Sequence, residues 1–337
     1  MNTKERRIFI ENLFQPGIVF GVRDIAWAIA GAHVDRTTLY RDLQFLIAQK
    51  KIVTSGRWKY ERSIDPAIYI ETPFYERQKV WYHREFLGDY IPNITFFLSS
   101  SQRTQLEQRV ATLDITTENL TNQKRNIENL LIDISFSSSH LEGNTYSYLD
   151  TEVLIQYNEI AENKLVEETQ MILNHKKVLE YLTHFKDTLT YDKKTFFEIH
   201  TLLGYNLLPQ ENLGVIRKTI VSIGRSAYTP TDNQWQLTEE FELFLTKLNA
   251  IDNPFEQSLF ILVFIPYFQI FLDINKRTSR MLCNLPLLKN RLGVLSLLQI
   301  KKRDYITAIL AIYELRDPWL MAQIFTDNYL LNLDRYI

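Results

Sequence analysis

Apolar positions recur at helical spacing along most of this chain. Residues 5–14 set Ile8, Ile10, Leu13 and Phe14 between charges, and Val22 to Ile29 repeats the pattern over a shorter span. From Arg36 to Gln49 the apolar positions Leu39, Leu43, Leu46 and Ile47 share one face, behind Asp35 as an N-cap candidate. Pro16-Gly17, Gly31 to Val34 and Asp65-Pro66 read as turns, and Ile52-Val53 with Trp58 to Tyr60 reads as a β-hairpin around Ser55-Gly56. Helices follow from Ser99 to about Leu113 and over 115–133, 151–161, 167–185 and 193–203, the last with His200 at its edge. Two more follow, one over 237–249 and one opened by Asn253-Pro254.

Two stretches break that period. Ser135 to Thr145 is Ser-rich, then Glu-Gly-Asn, and reads as a loop in which Gly143 stops a helix in the αL conformation. Gly214 to Pro230 alternates through Val215, Arg217, Thr219, Val221 and Ile223, turns at Gly224 to Ser226, and reads as a β-hairpin flap outside a helical body.

The most polar corner lies between two apolar segments, Leu259 to Phe268 and Met281 to Leu288. There Asp273, Asn275, Lys276, Arg277 and Arg280 fall within eight residues. Such groups between buried helices need a ligand, a metal or one another. An acid able to hold Mg²⁺, a loop with free N–H groups and two arginines three apart on a first helical turn suit a phosphate. The same residues also suit an ion-paired structural corner.

Composition narrows the class. The 337 residues are enough for two or three domains, and 45% hydrophobic with 23% charged is ordinary for a soluble globular protein. Ten Gly and ten Pro argue against a β-rich or disordered chain, while 20 Phe and 18 Tyr favour thick helical packing. One cysteine, Cys283, excludes an internal disulfide and fits a cytoplasmic setting. The first residues lack the apolar core of a signal peptide, and no run is long enough to span a membrane.

Charge is unevenly placed. Residues 1–62 carry eleven Lys/Arg against six Asp/Glu, in a chain whose net charge is −2. Their helices and hairpin, with "DRTTLYRDLQFLIAQKKIV" at 35–53 and "SGRWKYER" at 55–62, resemble a winged helix-turn-helix. That resemblance implies duplex DNA as a partner, read by Arg36, Thr37, Thr38, Tyr40 and Arg41, with Arg57 and Lys59 on phosphates. A winged helix used for protein contact is the alternative.

Four further stretches, in order, resemble the Fic (filamentation induced by cAMP) family. "SSSHLEGNTYS" at 137–147 is similar to its inhibitory motif, with Ser138, Glu142 and Gly143 in place. "FFEIHTLL" at 196–203 with "GVIRKTIVSIGRSAYTP" at 214–230 resembles a helix and the flap that positions a target. "NPFEQSLF" at 253–260 and "QIFLDINKRTSR" at 269–280 resemble the helix and signature of the active loop. The resemblance implies a mainly α protein. It comprises a winged helix-turn-helix at 1–62, a helical linker at 63–130, a Fic-like domain with a β-hairpin flap at 131–300 and a helical end at 301–337.

The family moves a nucleotide monophosphate, usually AMP from ATP, onto a protein hydroxyl. Carried over, the resemblance makes Asp273 the Mg²⁺ residue and puts Asn275, Lys276 and Arg277 on phosphates. It makes Arg280 the γ-phosphate arginine and Glu142 its inhibitory partner. The flap would hold a protein target, the chain itself being one candidate, as an added strand. A homodimer is compatible, and no membrane is implied. The departure is Gln269, which stands where the family has its histidine base, with Ile274 and Lys276 at the family's two glycines. An amide accepts no proton at neutral pH, and general base catalysis is worth roughly 10²–10⁴-fold. Three functions follow: a nucleotide-binding protein with weak or no transfer and a regulatory role; an active nucleotidyl- or phosphotransferase with another base; and a DNA-binding regulator with a non-functional Fic remnant.

Overall fold

The apolar stripe at 36–49 becomes a helix because Asp35 caps it. In the computed structural model the Asp35 carboxylate accepts from the Thr37 and Thr38 N–H groups and from the Thr38 hydroxyl. Those bonds, Thr38 first, hold its pKa down to about 2. The structure describes residues 3–13, 19–29, 34–48, 52–62, 66–112 and 120–336. The turn signals at Pro16-Gly17 and 31–33, Asp65, and the first residues of the helix expected over 115–133 lie outside them. The chain divides into two compact units, Met1–Thr72 and Pro73–Ile337.

The first unit runs α1 (Thr3–Leu13), β1 (Phe20–Gly21), α2 (Val22–Ala28), α3 (Arg36–Ala48), β2 (Ile52–Gly56), β3 (Lys59–Arg62) and α4 (Pro66–Glu71). Its sheet is antiparallel in the order β1-β3-β2, with Phe20 opposite Tyr60 and Ile52 opposite Arg62. The β1 edge was not legible in the sequence, being only two residues long. Ile10, Ile25, Leu39, Leu43, Leu46, Ile52 and Tyr60 form the core. Buried Asp42 on α3 pairs with Arg6 and Arg7 of α1, fixing the two helices against each other. The other face of α3 leaves Arg36, Thr37, Tyr40, Arg41 and Gln44 exposed, with Thr38 half-buried. Arg57 and Lys59 are exposed on the hairpin, and Trp58 packs edge-on to Tyr40.

The second unit is almost wholly helical. It runs β4 (Val80–Trp81), α5 (Glu85–Gly88), α6 (Ser100–Ala111), α7 (Leu120–Leu141), α8 (Tyr148–Tyr157), α9 (Val166–Phe185) and α10 (Lys193–Gly204). There follow β5 (Tyr228–Thr229), α11 (Gln234–Ala250), α12 (Pro254–Phe268), α13 (Asn275–Leu282), α14 (Asn284–Lys289), α15 (Lys302–Leu310) and α16 (Trp319–Tyr336). A π turn, Ala311–Leu315, extends α15. At the centre stands α12, buried from Phe255 to Phe268 and apolar all round from Leu259 onward. Asn253 caps it by accepting from the Phe255 and Glu256 N–H groups, and Pro254 takes the first turn, where no donor is needed. The buried Glu256 carboxylate accepts from the Phe97 and Leu98 N–H groups and the Tyr90 hydroxyl, binding the 90–98 segment to this core helix.

Three expectations need correction. The Ser-rich stretch is not a loop: α7 continues through it to Leu141, and only then does Gly143 take φ +101°. Serine competes for backbone bonds and weakens an isolated helix. Here Ser138 and Ser139 are buried and find partners on α9 instead. The stretch Gly214 to Pro230 is not a hairpin: its single strand, β5, pairs in parallel with β4, Val80 opposite Tyr228. The alternating pattern found no partner within the flap. The guanidinium of Arg217 does the tying, donating to the carbonyls of Gln269 (2.5 Å), Thr219 (2.8 Å) and Thr231 (2.6 Å). Finally, His200 is fully buried rather than at an edge.

Candidate functional site

Helix α12 ends because Pro266 removes a donor from its last turn and Gln269 turns to the αL conformation, φ 49° and ψ 53°. The chain then loops through Asp273 and enters α13 at Ile274, also αL, φ 66°. A β-branched residue there costs on the order of 1–2 kcal/mol. Burial of the Ile274 side chain helps offset that strain; Gly204 of α10 lies so near that a Cβ there would come within 3.4 Å of Ile274 Cδ1.

Three side chains hold the loop. Asn275 Oδ1 accepts from the Phe271 N–H at 2.9 Å, while its Nδ2 donates to the Phe271 carbonyl at 2.8 Å and to Gln269 Oε1 at 3.2 Å. Gln269 Nε2 donates to the Pro266 carbonyl (2.7 Å) and to the Tyr313 hydroxyl (3.1 Å). His200 bridges the loop to α10: Nδ1 accepts from the Gly214 N–H at 2.9 Å, which leaves the Nε2 proton for the Asp273 carbonyl at 3.2 Å. The ring also stacks on Phe271, and burial pulls its pKa down to about 4, so it stays neutral at pH 7. Gly214 is required here. At φ +60° it approaches α10 so closely that a Cβ would lie 2.4 Å from Thr201 Oγ1 and 2.9 Å from the Phe197 carbonyl oxygen.

The charged groups sort into two ends. Arg280 is buried and fully engaged. Its Nε donates to Ser138 Oγ (3.0 Å), Nη1 to the Tyr305 hydroxyl (2.9 Å) and Nη2 to the Ser138 carbonyl (3.0 Å). Nη2 also lies 2.8 Å from Glu142 Oε1. The other oxygen of Glu142 meets Lys276 Nζ at 3.0 Å. Burial of Glu142 favours its neutral form, but Arg280, Lys276 and Arg277 together prevail and hold its pKa down to about 2. Behind Arg280, Ser138 Oγ lies 3.0 Å from His175 Nε2, and His175 Nδ1 faces the Met171 carbonyl and Ser139 Oγ. Burial, then the charges of Arg277 and Arg280, drive the His175 pKa down to about 3. Neutral His175 thus accepts from Ser138, which accepts in turn from Arg280.

Arg277 is the opposite case. It is also buried, yet its ion-pair partner among the described residues is Asp273 at 3.6 Å, whose side chain is 65% exposed. Glu142, Gln269, Asp273, Ile274, Asn275, Lys276 and Arg277 line an open cleft. The first N–H groups of α13 have no partner inside the helix. The cleft can therefore meet an anion with Arg277 and a helix N-terminus.

The residues named from the sequence around 269–280 thus converge with Glu142 and Ser138. Gly143, exposed, lies just past α7. His140 is exposed and stacked on Phe136, and among the described residues no contact ties it to the cleft. Four participants went unread: His175, Arg217, Tyr305 and Tyr313. Arg217 stood in the quoted flap string, and His175 beside Asn174 on an otherwise apolar helix face. The two tyrosines belong to the C-terminal segment, where no pattern marks them.

Residues 189–287, which hold the flap, α12 and this loop, match the family model of the Fic/DOC family. That segment is similar to the Fic/DOC family. Solved structures of Fic proteins share the fold. A Fic domain containing signaling protein from Bacteroides thetaiotaomicron matches with a TM-score of 0.57 at 17% identity, over 70% of this chain and 96% of that one. Fic-1 from C. elegans matches with a TM-score of 0.60 at 16% identity, over 92% and 79%. A Fic family protein from Desulfovibrio desulfuricans gives 0.60 at 16%, over 73% and 76%. A comparison with curated proteins gives no match. Among the described residues, no helix is long and apolar enough to cross a membrane.

Proposed function

We propose that this chain binds a nucleotide, ATP with Mg²⁺, and transfers its nucleotidyl group weakly or not at all, acting as a regulator. The observation that carries the reading is the state of Gln269. Its amide is engaged with Pro266, Tyr313 and Asn275, and offers no group that takes a proton at pH 7. Around it the phosphate-binding set is kept. Arg277, buried beside a single long ion pair, is suited to a phosphate oxygen. Lys276 and the start of α13 supply further positive charge.

The donor set fits Mg²⁺ carried in with phosphates. Among the described residues no cluster of three His, Cys, Asp or Glu could hold a metal alone. Asp273 offers one exposed carboxylate, which suits an ion that keeps waters and phosphate oxygens in its shell. Bound there, Mg²⁺ would supply charge neutralisation between phosphates. Asp273 would hold it, Asn275 would keep the loop shaped, and the flap tied down by Arg217 would present a protein target.

Calorimetry with ATP·Mg²⁺ on wild type and Arg277→Ala tests this reading. Micromolar binding by wild type, weakened at least about tenfold in the variant, is expected; no binding by wild type would sink it. Labelled ATP turnover then separates weak from absent transfer. If Gln269→His with Glu142→Gly gains self-modification that wild type lacks, the missing base is the cause. Robust turnover by wild type would favour the alternative of an active transferase with another base.

The first unit has its own reading, a winged helix that binds duplex DNA. The exposed α3 face with Arg36, Thr37, Tyr40 and Arg41, and Arg57 and Lys59 on the hairpin, favours it. In a gel shift, Lys59→Ala should reduce the salt slope by about one if that lysine neutralises one phosphate. Absence of any shift at low salt would leave a protein-contact role.

A further inference from the structure

Glu142 is held from two sides, and the two holders differ in kind. Arg280 meets one carboxylate oxygen from a buried position, pinned by Ser138 and Tyr305. Lys276 meets the other oxygen, and its side chain is 40% exposed. The two cations are four residues apart on α13, so both reach one carboxylate from the same helix face. Lys276 also lines the same cleft as Arg277. A flexible ammonium at the mouth can change partners; a guanidinium fixed in several directions cannot do so without breaking the α7–α13 contact.

We propose that Lys276 is a latch on Glu142 that a polyphosphate ligand opens. Without ligand, Lys276 closes Glu142 over the cleft. When phosphates enter, the ammonium exchanges the carboxylate for a phosphate oxygen, and Glu142 loses one of its two holders. Lys276 therefore has two opposed effects on ligand affinity. It opposes entry by holding Glu142 and favours binding by meeting phosphate. The proposal rests on the nucleotide-binding reading above.

A double-mutant cycle separates those effects. ATP·Mg²⁺ affinity is measured by calorimetry for wild type, Lys276→Gln, Glu142→Gly and the double variant. In the Glu142→Gly background, Lys276→Gln should weaken ATP about tenfold, because only the phosphate contact is lost. In the wild-type background the same change should weaken ATP far less, or tighten it, because the latch is lost as well. Equal fold-changes in both backgrounds would overturn the latch. A second cycle needs no nucleotide. The urea midpoint shift of Lys276→Gln combined with Glu142→Gln should be smaller than the two single shifts together. Additive shifts would show that the pair does not act in the free protein and would also overturn the latch. A coupled urea cycle with no ATP binding by any variant would instead overturn the nucleotide reading, and the ligand half of this proposal with it.

Discussion

Arg277 and Arg280 lie three residues apart on one short helix, both buried, and they do opposite things. Arg280 donates to Ser138 and Tyr305 and pairs with Glu142, so it joins α7 to α13. Among the described residues, Arg277 has one long ion pair, with an exposed carboxylate. A buried cation whose donors are satisfied by its own chain is part of the framework. A buried cation left with a weak partner beside a cleft has capacity for something from outside. Spacing alone would have treated the two as equivalent.

The largest test of that contrast is Arg280→Ala. It leaves Glu142 buried with only Lys276 and strips Ser138 of a donor. About 3–5 kcal/mol of stability should disappear in urea unfolding, the usual cost of removing one partner of a buried pair. A loss below about 1 kcal/mol would break the comparison.

Acid should act next. His200 is neutral in the fold, with a pKa of about 4 against 6.5 when unfolded. The unfolded chain therefore binds the proton first, and stability falls as pH drops from 6.5 toward 4. His200 accounts for about 3 kcal/mol of that fall, and His175, at about 3, adds a loss that runs further into acid. Glu142 adds a further loss between 4.5 and about 2, because its folded carboxylate must be protonated. Urea midpoints measured from pH 7 to 4 should decline in wild type and decline less steeply in His200→Asn. An unchanged slope in that variant would remove His200 from this account.

Asn275→Ala should cost about 1–3 kcal/mol, since it leaves the buried Phe271 N–H and carbonyl without their partners. Arg277→Ala closes the series. Its unfolding midpoint should stay within about 1 kcal/mol of wild type, because a pair with an exposed carboxylate contributes little. Equal destabilisation by Arg277→Ala and Arg280→Ala would erase the distinction between the two ends of the cleft.

The sequence was most legible where a local rule acts alone. Asp35 and Asn253 announced the helices they cap, and the apolar run from Leu259 to Phe268 announced a core helix. Polar crowding at 273–280 marked the cleft. It was least legible where remote groups reverse a local preference. The serines of 135–139 look like a loop until His175 and Arg280 supply partners for the hydroxyls of Ser138 and Ser139. The flap looks like a hairpin until Arg217 anchors it to Gln269, Thr219 and Thr231.

By itself, then, the sequence determined a mainly helical chain and a polar corner between two buried segments. Those follow from periodicity, capping and the chemistry of single side chains, which are local. Only the tertiary structure decided that Arg280 is a structural pin and Arg277 is not, that Lys276 joins it on Glu142, and that His200 is a neutral brace under the loop. Each depends on which groups meet across more than 70 residues of chain, as His200 meets the Asp273 carbonyl and Arg280 meets Ser138. Burial there sets the charge state, and no local pattern encodes that meeting.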